Sequence, residues 1–500
     1  MSVSVPANEP LDGERPILDA TLAPPADNHA ARSAKLGLGA LAIYGSGALV
    51  ENITTLIVGG LLLFYLTIVC GLSGTGAGIA LGLTLVVDAI VDPVVGSLSD
   101  NSRSRHGRRH PFMLAAIVPL VVALGLLFSV PVGLSGVGLF AYATVTLFAL
   151  RISISIFQVP YFALGAELSD DYAERSTIVA ARVLFTLIGQ VAFPILAFGV
   201  FLAGPHGRSN HAAYSPLAWS CAGIAAVAAL LAALGTLRER RRLHTASVQT
   251  SLTPARFFGE AAEVLRNRSF RSLFFCCLVL FAGLGFAGAL TLHANTFFWK
   301  FSSQALTTLG LVAPIGWLTG IFVATALAKG MAKRNIAMLG LGLIGVAQFA
   351  PVSLRLTHLI GPESALATLI GATILGGFGG ALSTISFQSM MADAADEHEL
   401  LFSARREGLY FAGITFSAKA ASGLGLLIGG IALDLIGFPH GPAATTASIP
   451  AATVARLGMT YGPGAALFTA VSVAVLIGFR LTRSDHARIL ADLKNRRASA

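Results

Sequence analysis

The sequence predicts an all-α integral membrane protein with twelve membrane-crossing helices in two sets of six. Three observations carry that expectation. Of the 500 residues 55% are hydrophobic and 12% charged, with a mean hydropathy of +0.75, a balance foreign to a soluble domain. Apolar runs recur along nearly the whole chain, each long enough to cross a ~30 Å hydrocarbon core as a helix. Lys and Arg collect on alternate connecting segments, as the positive-inside rule requires of a chain that crosses repeatedly.

The runs fall at 36–69, 76–99, 111–131, 137–166, 176–203, 217–237, 269–297, 306–328, 335–354, 364–392, 406–437 and 463–481. Residues 1–35 precede them. This segment is rich in Pro, Ala and acids, lacks a signal pattern, and is expected to be a disordered cytoplasmic tail. The first six runs make one bundle over 36–237 and the last six a second over 269–482. Between them, 238–268 is a central cytoplasmic loop that opens on Arg238-Glu239-Arg240-Arg241-Arg242 and contains Pro254. Residues 483–500 form a cytoplasmic C-terminal tail.

With both termini inside, the tails and inner loops hold 27 of the 34 Lys and Arg, and the outer loops hold Arg208, Lys300, Arg355 and Arg456. The net charge of +9 is therefore topological and gives no reason to expect nucleic acid. Localisation in a plasma membrane, the bacterial inner membrane, follows. The four cysteines (Cys70, Cys221, Cys276, Cys277) lie in or at the ends of apolar runs without metal spacing, so neither a metal site nor a disulfide framework is expected.

The chemistry concentrates in DAIVDPVVGSLSDNSRSRHGRRHPF, Asp88 to Phe112. Asp88 and Asp92 are four apart, hence on one helix face, inside an apolar run. A charge near the bilayer centre costs roughly 2.5–3.5 kcal/mol, so such acids are functional by default. Two neighbouring carboxylates raise each other's affinity for a proton or cation, which suits a site that must load and unload. Pro93 removes the backbone bond to Ala89 and leaves a carbonyl for water or a cation.

Arg151, Arg182 and Lys419 are the remaining basic residues, and with Glu51, Asp88 and Asp92 they make formal charge cancel inside the membrane. Unpaired, these six would cost on the order of 15–20 kcal/mol, more than a typical protein's whole stability, so they must pair or be hydrated. Arg151, Ser155 and Gln158 form one polar stripe on the fourth run, suited to a cavity wall or to helix–helix hydrogen bonds. Arg182 is a fork-shaped donor for carboxylates and paired hydroxyls. Lys419, flanked by Ser417 and Ser422, suits a substrate contact or a counter-charge to an acid. The plainer reading of these groups is a set of static ion pairs. Trp317 suits stacking on a sugar ring, or plain packing.

On the cytoplasmic side, Asp100, Arg103, Arg105, Arg108 and Arg109 form one charged loop. Asp393 and Asp396 end the tenth run, and Arg405 and Arg406 begin the eleventh. These oppositely charged ends are expected to close an inner gate. A metal at His398 is not expected, because its flanking acids are not one turn away.

At this point the residues resemble a known family. Two six-helix halves joined by a basic central loop are the 6+6 architecture of the major facilitator superfamily, with the substrate site between halves. Asp88-x-x-x-Asp92-Pro93-x-x-Gly96, then Arg103-x-Arg105-x-Gly107-Arg108 and Pro111, resembles the helix 2 signature of the glycoside–pentoside–hexuronide:cation symporters, the melibiose permease-like group. The likeness recurs at Gly71-Leu72-Ser73, Pro160-Tyr161-x-Ala163-Leu164, Met391-Ala392-Asp393 and Arg406-Glu407-Gly408 through to Lys419, covering about 36–480 in order.

The resemblance implies that Asp88, Asp92 and Ser155 line the cation-coupling site. It places Asn52 and Gln158 at the family's acidic sugar-binding positions, and Arg182 and Lys419 at retained basic ones. Glu51, Arg151 and Trp317 complete the expected substrate-binding set. Val91 stands where the family has an asparagine, so one oxygen ligand is missing, which favours a proton over sodium. The Gln158 region and the Gly107-Arg108-Arg109-His110-Pro111 loop also resemble plant sucrose carriers.

The expected function is inward symport of a sugar or glycoside with a cation, chiefly a proton. The expected carrier is a monomer in the lipid bilayer without a cofactor. One alternative keeps the carrier and changes the solute to an organic acid or a lysolipid. Another is a non-transporting membrane enzyme or sensor, but no nucleophile, metal set or phosphate-binding Gly loop surrounds Glu51 or any other acid in sequence.

Overall fold

The computed structural model describes residues 36–499 except 103, 105–106, 170, 205, 243–262, 403–406, 443 and 445–447. Twelve helices are long and apolar enough to cross a membrane. They are α1 (Leu38–Leu62), α2 (Gly74–Asp100), α3 (His110–Leu127), α4 (Gly136–Glu167), α5 (Ala173–Phe201) and α6 (His211–Glu239), then α7 (Arg268–Phe298), α8 (Ser303–Leu327), α9 (Lys333–Leu356), α10 (Pro362–Phe402), α11 (Glu407–Leu435) and α12 (Ala451–Ile477). A surface helix, α13 (Arg483–Ser499), follows. No strand occurs among the described residues.

Local chemistry sets many of the starts. Ser73, Asp171, Asn210, Asn267 and Ser302 each accept a hydrogen bond from a free backbone N–H of the first turn of α2, α5, α6, α7 and α8. Two helices run furthest beyond their apolar runs. α10 spans 41 residues, roughly 60 Å, twice the hydrocarbon thickness, and so carries its acidic end well outside the bilayer. α12 begins at Ala451 rather than at 463: the helix Ala451–Met459 runs through a π turn, Thr460–Gly464, into the apolar run.

The two halves repeat one packing scheme. In the first, α1 packs on α5 and α6, α2 on α4, and α3 on α4 and α6. In the second, α7 packs on α11 and α12, α8 on α10, and α9 on α10 and α12, each pair six helices on from its counterpart. The halves meet through α2 against α11 and α5 against α8, which are equivalent contacts under the same exchange.

Leu36, α13 and the charged residues Arg108, Arg109 and Lys333 lie at one end of the bundle, here the terminal face; the other is the distal face. Bonds that join the halves gather at the distal face. Asp434 of α11 accepts from the N–H groups of Gly74 (2.9 Å) and Thr75 (2.7 Å) at the start of α2. Thr67 Oγ1 meets the fully buried His293 Nε2 at 2.9 Å. Arg208 donates to Thr296 Oγ1 (3.0 Å) and to the Phe301 carbonyl (2.7 Å), and Ser303 donates to the Leu202 carbonyl (2.7 Å). Glycines bring the α2 and α11 backbones together there: a Cβ on Gly430 would stand 2.3 Å from the Gly74 carbonyl oxygen.

At the terminal face charged groups pair within each half. Arg108 and Arg109 hold Glu167 at 2.7 and 2.9 Å, and Arg109 also pairs with Asp100. Lys333 holds Asp393 at 2.8 Å, while His486 of α13 lies 3.5 Å from Asp393 and 3.0 Å from Asp396. The bundle is thus shut at the distal face.

Candidate transport site

The charged residues that the sequence singles out meet midway through the bundle. α2 and α4 run side by side in the same direction with an offset of 63 residues: Asp88 faces Arg151, and Gly96 faces Val159. That register sets Asp92 level with Ser155, which is buried. Arg151 grips Asp88 with two guanidinium nitrogens, Nε lying 3.1 Å from Oδ1 and the second on Oδ2. This fork geometry satisfies both carboxylate oxygens at once. Glu51 of α1 lies within electrostatic range of the same arginine.

Asp92 is held differently. Its Oδ2 accepts from Lys419 Nζ at 2.7 Å, so this pair joins α2 of one half to α11 of the other. Its Oδ1 is buried and has no protein hydrogen-bond partner. Asp88 is thereby fully committed within the first half, whereas Asp92 keeps a free oxygen and depends on a partner that moves when the halves separate. The two acids look alike in sequence and are not equivalent in the fold.

Around this pair, further polar atoms are buried without protein partners: Asn52 Oδ1, Gln158 Nε2 and Arg182 Nε. Asn52 abuts α5 at Gly189. The Arg182 guanidinium sits 4.1 Å from the centroid of the Phe162 ring, one turn from Gln158 on α4. Tyr161 supports that wall, stacking on Tyr44 with centroids 4.8 Å apart and donating to the Tyr44 carbonyl at 3.0 Å. Buried amide and guanidinium groups almost always find partners, so a wall of them left open suits a hydroxyl-rich solute.

Arg182 does not pair with the acids, as one sequence reading allowed; the α2–α4 register gives Asp88 to Arg151 and leaves Arg182 on aromatic rings. Trp317 stands apart, in the second half, against α10 at Gly377 and Gly380. Of the expected gate residues, Arg108 and Arg109 bond to Glu167, and Arg109 also pairs with Asp100. Asp393 pairs with Lys333 of α9 and lies near His486 of α13, and Asp396 pairs with His486, all on the helical end of α10. Arg103, Arg105, Arg405 and Arg406 lie outside the described residues. Sequence reasoning passed over Asp434, His293 and Glu167; an acid or histidine at the end of an apolar run was the available signal.

Residues 43–483 match the family described as MFS/sugar transport protein. The chain belongs to that family. The match agrees with the glycoside–pentoside–hexuronide:cation symporter relationship expected from the helix 2 motif. Among curated relatives, the uncharacterized symporter YnaJ of Bacillus subtilis is 25% identical over 411 residues, 81% of this chain and 85% of that protein. The isoprimeverose transporter of Lactiplantibacillus pentosus is 24% identical over 89% of each chain. The putative glycoside/cation symporter YagG of Escherichia coli is 26% identical over 75% of this chain and 77% of that one. Among solved structures, a bacterial homologue of the human lysosomal transporter Spinster superposes with a TM-score of 0.62 at 14% identity, covering 93% of this chain and 99% of that one. A D-xylose-proton symporter superposes with a TM-score of 0.56 at 13% identity, covering 88% and 97%. Likenesses at this identity concern the fold. The protein is an integral membrane protein of a transporter family.

Proposed function

We propose that this transporter is a proton-coupled symporter of a sugar or glycoside, with both termini in the cytoplasm. The observation that carries the proposal is the Asp92–Lys419 pair across the two halves. A proton arriving at Asp92 removes the charge that holds Lys419, so loading the ion and loosening the halves become one event. Hydroxyls of the solute would take up the unpartnered groups of Asn52, Gln158 and Arg182. The relatives named as a glycoside/cation symporter and an isoprimeverose transporter support that solute class.

Several features favour a proton over sodium. Val91 supplies no oxygen beside Asp92, and Arg151 already occupies both oxygens of Asp88. A sodium ion would find too few ligands, whereas a proton needs one lone pair on Asp92. The positive-inside rule makes the terminal face cytoplasmic, so the shut distal face is the outer one. Each 100 mV of potential then supplies ~2.3 kcal/mol per charge for uptake.

The test is solute-induced charge movement in proteoliposomes, across hexoses, disaccharides, pentose-containing disaccharides, glucuronides and glycosides. A current with one sugar class is expected. Silence from the whole panel with folded protein, together with a response to an organic acid or lysolipid, would overturn the solute assignment.

A further inference from the structure

Beyond the charged cluster, toward the distal face, both halves line a second space. It is a cavity of about 500 Å³ between α1, α5, α7, α8, α9, α10 and α12. That volume falls within the ~300–1,000 Å³ of small-molecule sites. Its inner end adjoins the polar wall. Leu56, on its lining, is one turn beyond Asn52 on the same face of α1, and Phe193 is one turn beyond Gly189, which Asn52 touches. On the other half, Gly377 and Gly380 belong both to its lining and to the surface against Trp317.

The chemistry of this space differs from that of the cluster. Its lining carries no charged side chain and is mostly aliphatic and aromatic, with Phe193, Phe198 and Tyr461 offering ring surface. Several polar groups on it are already used: Thr291 donates to the Ala287 carbonyl, and Gln348 Oε1 accepts from Thr469. Asn295 is different. It is 7% exposed, lies at the distal end of the lining, and its Oδ1 has no protein partner.

A bare sugar is covered with hydroxyls and would leave them unsatisfied against such walls, and an anion would find no counter-charge. We infer that the cavity receives the apolar aglycone of an aryl glycoside, with the sugar ring among Asn52, Gln158 and Arg182 and a hydroxyl at the far end of the aromatic ring donating to Asn295 Oδ1. The inference rests on the sugar-symport reading above and narrows its substrate to an amphipathic glycoside. Burial of the ring is the added binding term.

The experiment uses the full chain in proteoliposomes with matched methyl, phenyl and 4-hydroxyphenyl glycosides of glucose, galactose, xylose and glucuronic acid. Half-saturation is read from charge movement and from competition. For one sugar, the 4-hydroxyphenyl glycoside is expected to half-saturate at a concentration roughly tenfold below that of the methyl glycoside. Gly60→Leu fills the cavity from α1, where a Cβ meets nothing within 4 Å, and Ala372→Phe fills it independently from α10. Either is expected to bring the aryl-to-methyl preference below about twofold. Asn295→Leu should erase the preference for 4-hydroxyphenyl over phenyl and keep that for phenyl over methyl.

Methyl glycoside handled as well as the aryl one, or a preference unchanged in both filled variants, overturns the aglycone assignment and leaves sugar symport standing. No glycoside bound or moved by folded protein overturns both. Displacement of a bound glycoside by a lysolipid at low concentration, without any aryl preference, would assign the cavity to an acyl chain and likewise overturn the inference.

Discussion

Replacing Asp92 by Asn tests the link between the ion pair and coupling. Asn keeps the size and one carbonyl of Asp but carries neither the charge nor a titratable proton. In the wild-type chain Lys419 Nζ lies 2.7 Å from Asp92 Oδ2, with the two side chains 33% and 24% exposed. At an effective dielectric of 20, opposite charges about 4 Å apart attract by ~4 kcal/mol. Partial exposure lowers the net worth of this pair to about 1–2 kcal/mol. That is enough to shift the balance of conformations and too little to unfold the bundle. The Asn variant also fixes the cluster at the charge that the protonated wild type reaches only transiently. Solute binding and exchange should therefore persist while coupling is lost. Under an imposed 100 mV, the wild type has the driving force for roughly fifty-fold accumulation, and the variant should stop near equal concentrations. The assay is uptake of labelled solute into proteoliposomes with a potassium-diffusion potential, run beside exchange at zero potential. Gradient-driven accumulation equal to the wild type would refute the reasoning.

The other predictions concern the parts around that pair. Lys419→Ala should cut transport severalfold with the protein still in the membrane, since Asp92 loses its partner on the opposite half; wild-type rates would make the lysine a scaffold residue. Gly430→Leu should force α2 and α11 apart at the distal face, because its Cβ would stand 2.3 Å from the Gly74 oxygen and 2.7 Å from the Gly78 Cα. A cysteine placed at Thr67 should then react faster with a membrane-impermeant thiol reagent from outside, and an unchanged rate would contradict the seal. Glu167→Gln should lower the unfolding temperature, as it weakens charge-assisted bonds to Arg108 and Arg109 worth about 3 kcal/mol together, and an unaltered melting curve would show those bonds to be idle.

Much of the fold was legible because the bilayer forces it: a spanning helix needs a long apolar run, and the runs can be counted. Apolar run and helix differ most where helix and bilayer part company. α10 continues beyond the membrane into the acids from Asp393 to Glu399, where hydropathy reports water and says nothing against helix. The apolar run begins at Pro463, but the chain is helical from Ala451 and passes through Gly462-Pro463 in a π turn.

The candidate site was legible as a set and not as pairs. Formal charge cancelled among Glu51, Asp88, Asp92, Arg151, Arg182 and Lys419, but which acid meets which base depends on the register of α2 on α4 and on the approach of α11. No local pattern encodes that. The distal cavity left no trace in sequence, because its lining is ordinary apolar residues drawn from seven helices. The seal at the distal face was hidden in the same way, since Thr67, His293 and Asp434 are separated by hundreds of residues.

The central claim is that a proton at Asp92 drives solute across the membrane. Its most direct test is the pH change recorded by a dye inside proteoliposomes when an accepted glycoside is added in sodium-free medium, with the Asp92→Asn variant alongside. Acidification of the lumen is expected to follow solute entry in the wild type, to be unaffected by added sodium, and to be absent from the variant. Solute entry that requires sodium and leaves the internal pH unchanged, or acidification that survives Asp92→Asn, would contradict it.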